Sequence, residues 1–110
     1  MGVFMEQTLK ALGKRIAYLR NKKGLTQEQL AELVHYSTNH ISKLELARTK
    51  PSFELLFEIS KALDIELREI FNFEEFKDIK YIKSVLKKVI NSSDSKKVKL
   101  VYNLFRAIEF

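Results

Sequence analysis

Apolar residues at the start of the chain recur every three or four positions. Met5, Leu9, Leu12, Ile16 and Leu19 share one face of a predicted helix, and the pattern stops at Lys22-Lys23-Gly24. Two cations complement the C-terminal dipole there, and Gly24 suits the left-handed conformation that ends a helix. Thr26-Gln27-Glu28-Gln29 opens the next helix, because Thr followed three residues later by Gln is a capping-box signature. This second helix runs through Leu30, Ala31 and Val34 and breaks within His35-Tyr36-Ser37. Ser37 is a good N-cap for a third helix carrying Ile41 and Leu44. Arg48-Thr49-Lys50-Pro51 reads as a loop, and Ser52 caps a fourth helix with Leu55, Leu56, Ile59 and Leu63 inward. A short fifth helix holds Leu67, Ile70 and Phe71.

The remainder has a different texture. Phe76, Ile79, Ile82, Leu86 and Val89 form an apolar stripe on a sixth helix, and Asn91-Ser92-Ser93-Asp94 is the clearest break in the tail. Ser93 or Asp94 can cap a seventh helix, with Val98, Val101, Leu104/Phe105 and Ile108 as its stripe. The pattern therefore predicts an all-α protein: a five-helix domain over residues 1–72 and a two-helix hairpin over residues 73–110. There is no internal repeat and no strand-like alternation. A hairpin of 38 residues is too small to bury both stripes by itself.

Composition agrees with this reading and narrows it. The chain has 110 residues, 45% hydrophobic and 31% charged, as in a globular protein. Three Gly and one Pro argue against many short strands. The absence of Cys excludes disulfides and thiolate–metal sites. No apolar run approaches the roughly 18 residues of a membrane span, and there is no signal-peptide pattern, so the expected location is the cytoplasm and no membrane partner is expected. The net charge of +6 suits a polyanionic partner such as nucleic acid. Its distribution is uneven. Residues 1–72 hold 11 basic and 9 acidic groups, and residues 73–110 hold 9 and 5. A DNA-reading face in the first part must come from local placement rather than bulk charge.

Two helices joined by a short turn can be a DNA-reading unit or a packed corner, and spacing discriminates between them. Counting Gln27 as the first position, the fifth is Ala31, small enough for close helix approach. The fourth, eighth, tenth, fifteenth and eighteenth are Leu30, Val34, Tyr36, Ile41 and Leu44, all apolar. These lock the second helix against the third and leave the third helix's other face free.

Leu12-Gly13-Lys14-Arg15-Ile16 through Arg20, Leu25-Thr26-Gln27, Leu30-Ala31-Glu32, Ile41-Ser42-Lys43-Leu44-Glu45 and Pro51-Ser52 resemble the Xre-type family of λ-repressor-like domains. The resemblance covers roughly residues 9–72. It implies a five-helix λ-repressor-like domain that binds double-stranded DNA as a homodimer, with the third helix in the major groove. It also implies an orienting ion pair between Arg20 and Glu45. Two positions depart from the family: His35 and Ala47 stand where Gly is frequent, so the turn geometry at both is open. His is tolerated at positive φ better than most residues.

Residues at the start of a recognition helix point into the groove, here Ser37, Thr38, Asn39 and His40, with Ser42 and Lys43 one turn on. The family resemblance implies Thr38, Asn39 and Lys43 as the foremost base readers, and His40 is a candidate beside them. Asn pairs with adenine, Lys donates to guanine, and Thr can meet a thymine methyl; a good bidentate pairing discriminates by about 1–3 kcal/mol. Gln27, at the start of the second helix, Ser37, Ser42, and Arg48 and Lys50 in the following loop are the candidate phosphate-backbone contacts. His35 and His40 have no fixed carboxylate partner and read as surface histidines. Lys77, Lys80, Lys83, Lys87 and Lys88 can touch flanking DNA, but such a run is more often the solvated face of an amphipathic helix.

The two tail stripes have three uses open to them: a homodimer interface, packing back on the first domain, or a grip for another protein such as a toxin or antagonist. Phe76, Ile79, Ile82, Leu86, Val101, Leu104, Phe105 and Ile108 are the dimerisation candidates. No Cys, no paired His and carboxylate in a motif, and no Gly-rich phosphate loop argue against an enzyme, and no cofactor or metal is expected. The expected function is a sequence-specific transcriptional regulator, a repressor acting at a palindromic operator.

Overall fold

Seven helices occupy the described residues: α1 (Gly2–Lys22), α2 (Gln27–Val34), α3 (Thr38–Glu45), α4 (Phe53–Ala62), α5 (Leu67–Ile70), α6 (Ile79–Ser92) and α7 (Ser95–Glu109). The computed structural model describes the backbone of residues 2–73 and 78–109, and the side chains of residues 6–73 and 78–107. No strand occurs among them. The chain divides into two units, Met1–Phe73 and Glu74–Phe110.

The first unit is built on the 3.6-residue periodicity of its helices. Leu12, Ile16 and Leu19 of α1 meet Leu30, Ala31 and Val34 of α2, Ile41 and Leu44 of α3, and Leu55, Leu56 and Ile59 of α4 in one cluster, closed by Leu63 and Ile70. Ile16, Leu30, Ile41 and Ile59 are fully buried. Each contributes about 1.5–3 kcal/mol by leaving water, so loss of any one is a large share of a small domain's stability. The predicted caps are in place. The Thr26 hydroxyl accepts from Gln29 N–H at 3.0 Å while Gln29 Oε1 accepts from Thr26 N–H at 2.8 Å. Ser37 and Ser52 accept from the N–H groups of His40 and Leu55.

The C-termini of α1 to α4 share one design. A residue with positive φ follows each helix: Gly24 (73°), His35 (61°), Ala47 (61°) and Asp64 (53°). Each time, two N–H groups turn back onto the last carbonyls. After α3, Ala47 N–H reaches Leu44 O at 3.1 Å and Arg48 N–H reaches Lys43 O at 2.8 Å. The corresponding bonds after α2 are His35 to Glu32 and Tyr36 to Ala31. This is the Schellman arrangement, and glycine supplies it at only one of the four ends.

Two expected core residues lie elsewhere. Tyr36, counted among the apolar positions that lock α2 to α3, is 38% exposed, and so is Phe71. Helix α5 is a single turn, so only Ile70 is buried, and Phe71 is its C-cap residue. Phe73, two residues on, packs against the core instead.

The second unit has no buried residue among those described. Asp78 Oδ1 caps α6 by accepting from Tyr81 N–H at 2.8 Å, and Asp94, rather than Ser93, caps α7 through Lys97 N–H at 2.8 Å. Ile79, Leu86, Val101 and Phe105 are all about half exposed or more, while Ile82 and Leu104 are intermediate. Phe76 and the side chain of Ile108 lie outside the described residues. Among the described residues no helix is long and apolar enough to cross a membrane.

Candidate nucleic-acid interface

The corner between α2 and α3 is closed by small and apolar contacts. Ala31 is 2% exposed, so the two helices approach without an intervening side chain. Ile41 and Leu44 fix the inner face of α3, which leaves Thr38, Asn39 and Lys43 exposed on the other. Helix α1 supports α3 from behind. A Cβ on Gly13 would sit 2.5 Å from Glu45 O and 2.8 Å from Leu44 O, so only glycine allows this approach to the end of α3.

Charge ties the same three helices together. Arg20 Nε lies 2.7 Å from Glu45 Oε2 and Nη2 lies 2.9 Å from Oε1, a two-pronged pair with side chains only 11% and 5% exposed. Arg20 Nη1 also donates to Leu25 O at 2.8 Å, within the α1–α2 connection. The hydrogen bond to Glu45 holds the guanidinium pKa above its ordinary value, against the opposing effect of burial. Such a bidentate pair adds geometric specificity as well as energy. Gln27 Nε2 donates to the same Glu45 Oε1 at 2.9 Å. A side chain read from sequence as a phosphate contact is thus engaged within the protein. The capping box consumes the N–H groups of Thr26 and Gln29, leaving those of Gln27 and Glu28 at the positive end of α2 without an intrahelical partner.

The other predicted residues cluster around the start of α3. Ser37, Thr38, Asn39 and Lys43 are exposed, and Ser42 and His40 are intermediate. The Ser37 hydroxyl is occupied as the cap of α3. The His40 ring lies against Tyr36, centroids 4.9 Å apart and planes at 40°. Arg48 and Lys50 are exposed in the loop after α3. Sequence reasoning missed the Tyr36–His40 contact and the Gln27–Glu45 bond, neither of which has a signature in residue spacing. No group of residues suited to a metal ion occurs among those described.

The second unit contributes a different surface. Leu86, Val89 and Ile90 of α6 face Val98, Val101, Tyr102 and Phe105 of α7 across an apolar groove of about 350 Å³.

The helix-turn-helix family model matches residues 16–70, half of the chain and all of the corner just described. The chain belongs to the helix-turn-helix family. It is 36% identical over 61 residues to y4dJ, an HTH-type transcriptional regulator of Sinorhizobium fredii, covering 56% of this chain and 79% of that one. Of two other matching regulators it spans 39% and 61%, less than two thirds of their length. Among solved structures it is similar to the restriction-modification controller protein C.AhdI of Aeromonas hydrophila, with 36% identity, a TM-score of 0.56, and coverage of 57% of this chain and 96% of that one. It is also similar to a chain of the SinR protein/SinI protein complex, with 26% identity, a TM-score of 0.54, and coverage of 86% and 96%. These matches support the Xre-type resemblance read from the sequence. The chain is accordingly a transcriptional regulator with a helix-turn-helix DNA-binding domain.

Proposed function

We propose that this regulator is a sequence-specific repressor that binds a palindromic operator as a homodimer, with α3 in the major groove. The observation that carries the reading is the division of α3. Its inner face is fixed by Ile41, Leu44 and the Glu45 cluster, while Thr38, Asn39 and Lys43 stand free on the outer face. Thr38, Asn39, His40 and Lys43 then meet base edges. Ser37, Ser42, Arg48, Lys50 and the free N–H groups at the start of α2 meet phosphates. Gln27 acts at that phosphate through its backbone, since its side chain is held by Glu45.

One such unit makes few base contacts, and two on a dyad double the half-sites read. The stripes of α6 and α7, with Ile79, Leu86, Val101 and Phe105 exposed and Ile82 and Leu104 half-buried, supply the pairing surface, with a second copy in the groove. The groove also favours a second reading, in which another protein occupies it and regulates pairing; the complex of SinR with SinI is a precedent among similar chains.

Selection of bound sites from random duplex DNA at a stated salt concentration tests the proposal. A motif with two inverted half-sites is expected. Binding without sequence preference overturns the reading of α3, and a single half-site bound by a monomer overturns the homodimer.

A further inference from the structure

We propose that Tyr36 is a specificity-determining positioning residue, whose ring holds the His40 imidazole ready for a hydrogen bond to a guanine edge. The inference rests on the reading of α3 as the groove helix. A tyrosine acting only as core filler would be buried like its neighbours in the chain, Val34 at 3% and Ile41 at 0%. Tyr36 is instead 38% exposed, and its ring lies 4.9 Å from that of His40 at the first turn of α3. The main chain of His40 is fixed as well, because its N–H is held by Ser37 Oγ at 3.0 Å. Among the described residues the imidazole itself makes no hydrogen bond, so its nitrogens are available to a ligand.

The donor chemistry of the ring favours guanine, which offers two adjacent acceptors where adenine and thymine offer one each. A neutral imidazole carries one N–H donor, and the protonated ring carries two. In the major groove guanine presents two adjacent acceptors, N7 and O6. A freely rotating histidine loses side-chain freedom on making that bond, whereas one already held against a ring loses less. Removing this ring contact should therefore lower discrimination at one base pair by about 3- to 10-fold.

The test is site selection with the full chain as wild type, His40→Ala, Tyr36→Ala, Tyr36→Leu and Tyr36→Phe, and a double variant lacking both rings. The wild type should prefer guanine at one position. His40→Ala, Tyr36→Ala and Tyr36→Leu should all lose preference at that same position and keep the rest of the motif. The double variant should lose no more than His40→Ala alone, and Tyr36→Phe should behave as wild type. Tyr36→Leu keeps the apolar bulk beside α2, so the comparison survives if Tyr36→Ala melts below the assay temperature. The proposal is overturned if the Tyr36 variants weaken all sequences equally or alter a different base pair. It is equally overturned if Tyr36→Phe fails like Tyr36→Ala, or if the losses of the single variants add. A wild type with no motif overturns the underlying reading of α3, which separates the two failures.

Discussion

Replacing Ala47 by glycine should stabilise the protein, although it removes a methyl group and touches no core residue. Ala47 follows α3 with φ of 61°, a conformation in which an L side chain crowds the adjacent carbonyl. That crowding costs about 1–2 kcal/mol. Glycine escapes it but adds freedom to the unfolded chain, about 0.4–1 kcal/mol. The balance is a gain of about 1 kcal/mol, or about 4–8 °C in Tm for a unit of this size. His35 and Asp64 share the geometry, with φ of 61° and 53°. Both residue types tolerate it better than alanine, so their glycine variants should change stability by less than about 0.5 kcal/mol. Urea unfolding of the full chain at one fixed protein concentration is the assay, with the denaturant slope compared between variants. The midpoint should rise for Ala47→Gly at unchanged slope. An unchanged or lower midpoint refutes the reasoning, as does a gain at Asp64 equal to that at Ala47.

Other variants address other parts of the structure. Gly13→Ala should destabilise by about 1–3 kcal/mol in the same assay, because the new methyl meets backbone carbonyls of α3 that cannot swing aside. Arg20→Met should cost about 3–5 kcal/mol by leaving the Glu45 carboxylate buried with a single neutral donor, and adding Glu45→Met should recover most of it. Asn39→Ala and Lys43→Ala should each relax preference at one base pair. Arg48→Ala and Lys50→Ala should weaken binding to all sequences and flatten its salt dependence, read by titration at several salt concentrations. Removal of residues 74–110 should give a monomer by sedimentation while the melting of the first unit persists, since the core cluster of that unit draws only on its own residues, Leu12 to Phe73.

Regular repetition made most of this fold legible. The stripes of α1 and α4, the Thr26 capping box and the Ser37 and Ser52 caps are short-range patterns, and the structure shows them in place. The Xre-type resemblance left the geometry at His35 and Ala47 open, and both adopt the positive φ that glycine would supply. What sequence could not reveal depends on geometry across helices. Tyr36 counts as apolar by type, yet the sharp turn after α2 carries its ring outward onto His40. Gln27 sits at a helix start suited to phosphate, but it is 18 residues from Glu45 and only the folded corner brings them within 2.9 Å. Phe71 and Phe73 exchange roles because α5 is one turn long.

The division of α3 has a consequence for how such a regulator changes its target. Holding α3 in place requires Ile41, Leu44, Glu45 and the glycine behind them, and none of these is among the proposed base readers. Thr38, Asn39 and Lys43, conversely, contribute no burial to the core. Scaffold and text are written on separate sides of an eight-residue helix. A handful of substitutions on the outer side can therefore give the regulator a new address on DNA without asking the domain to fold differently.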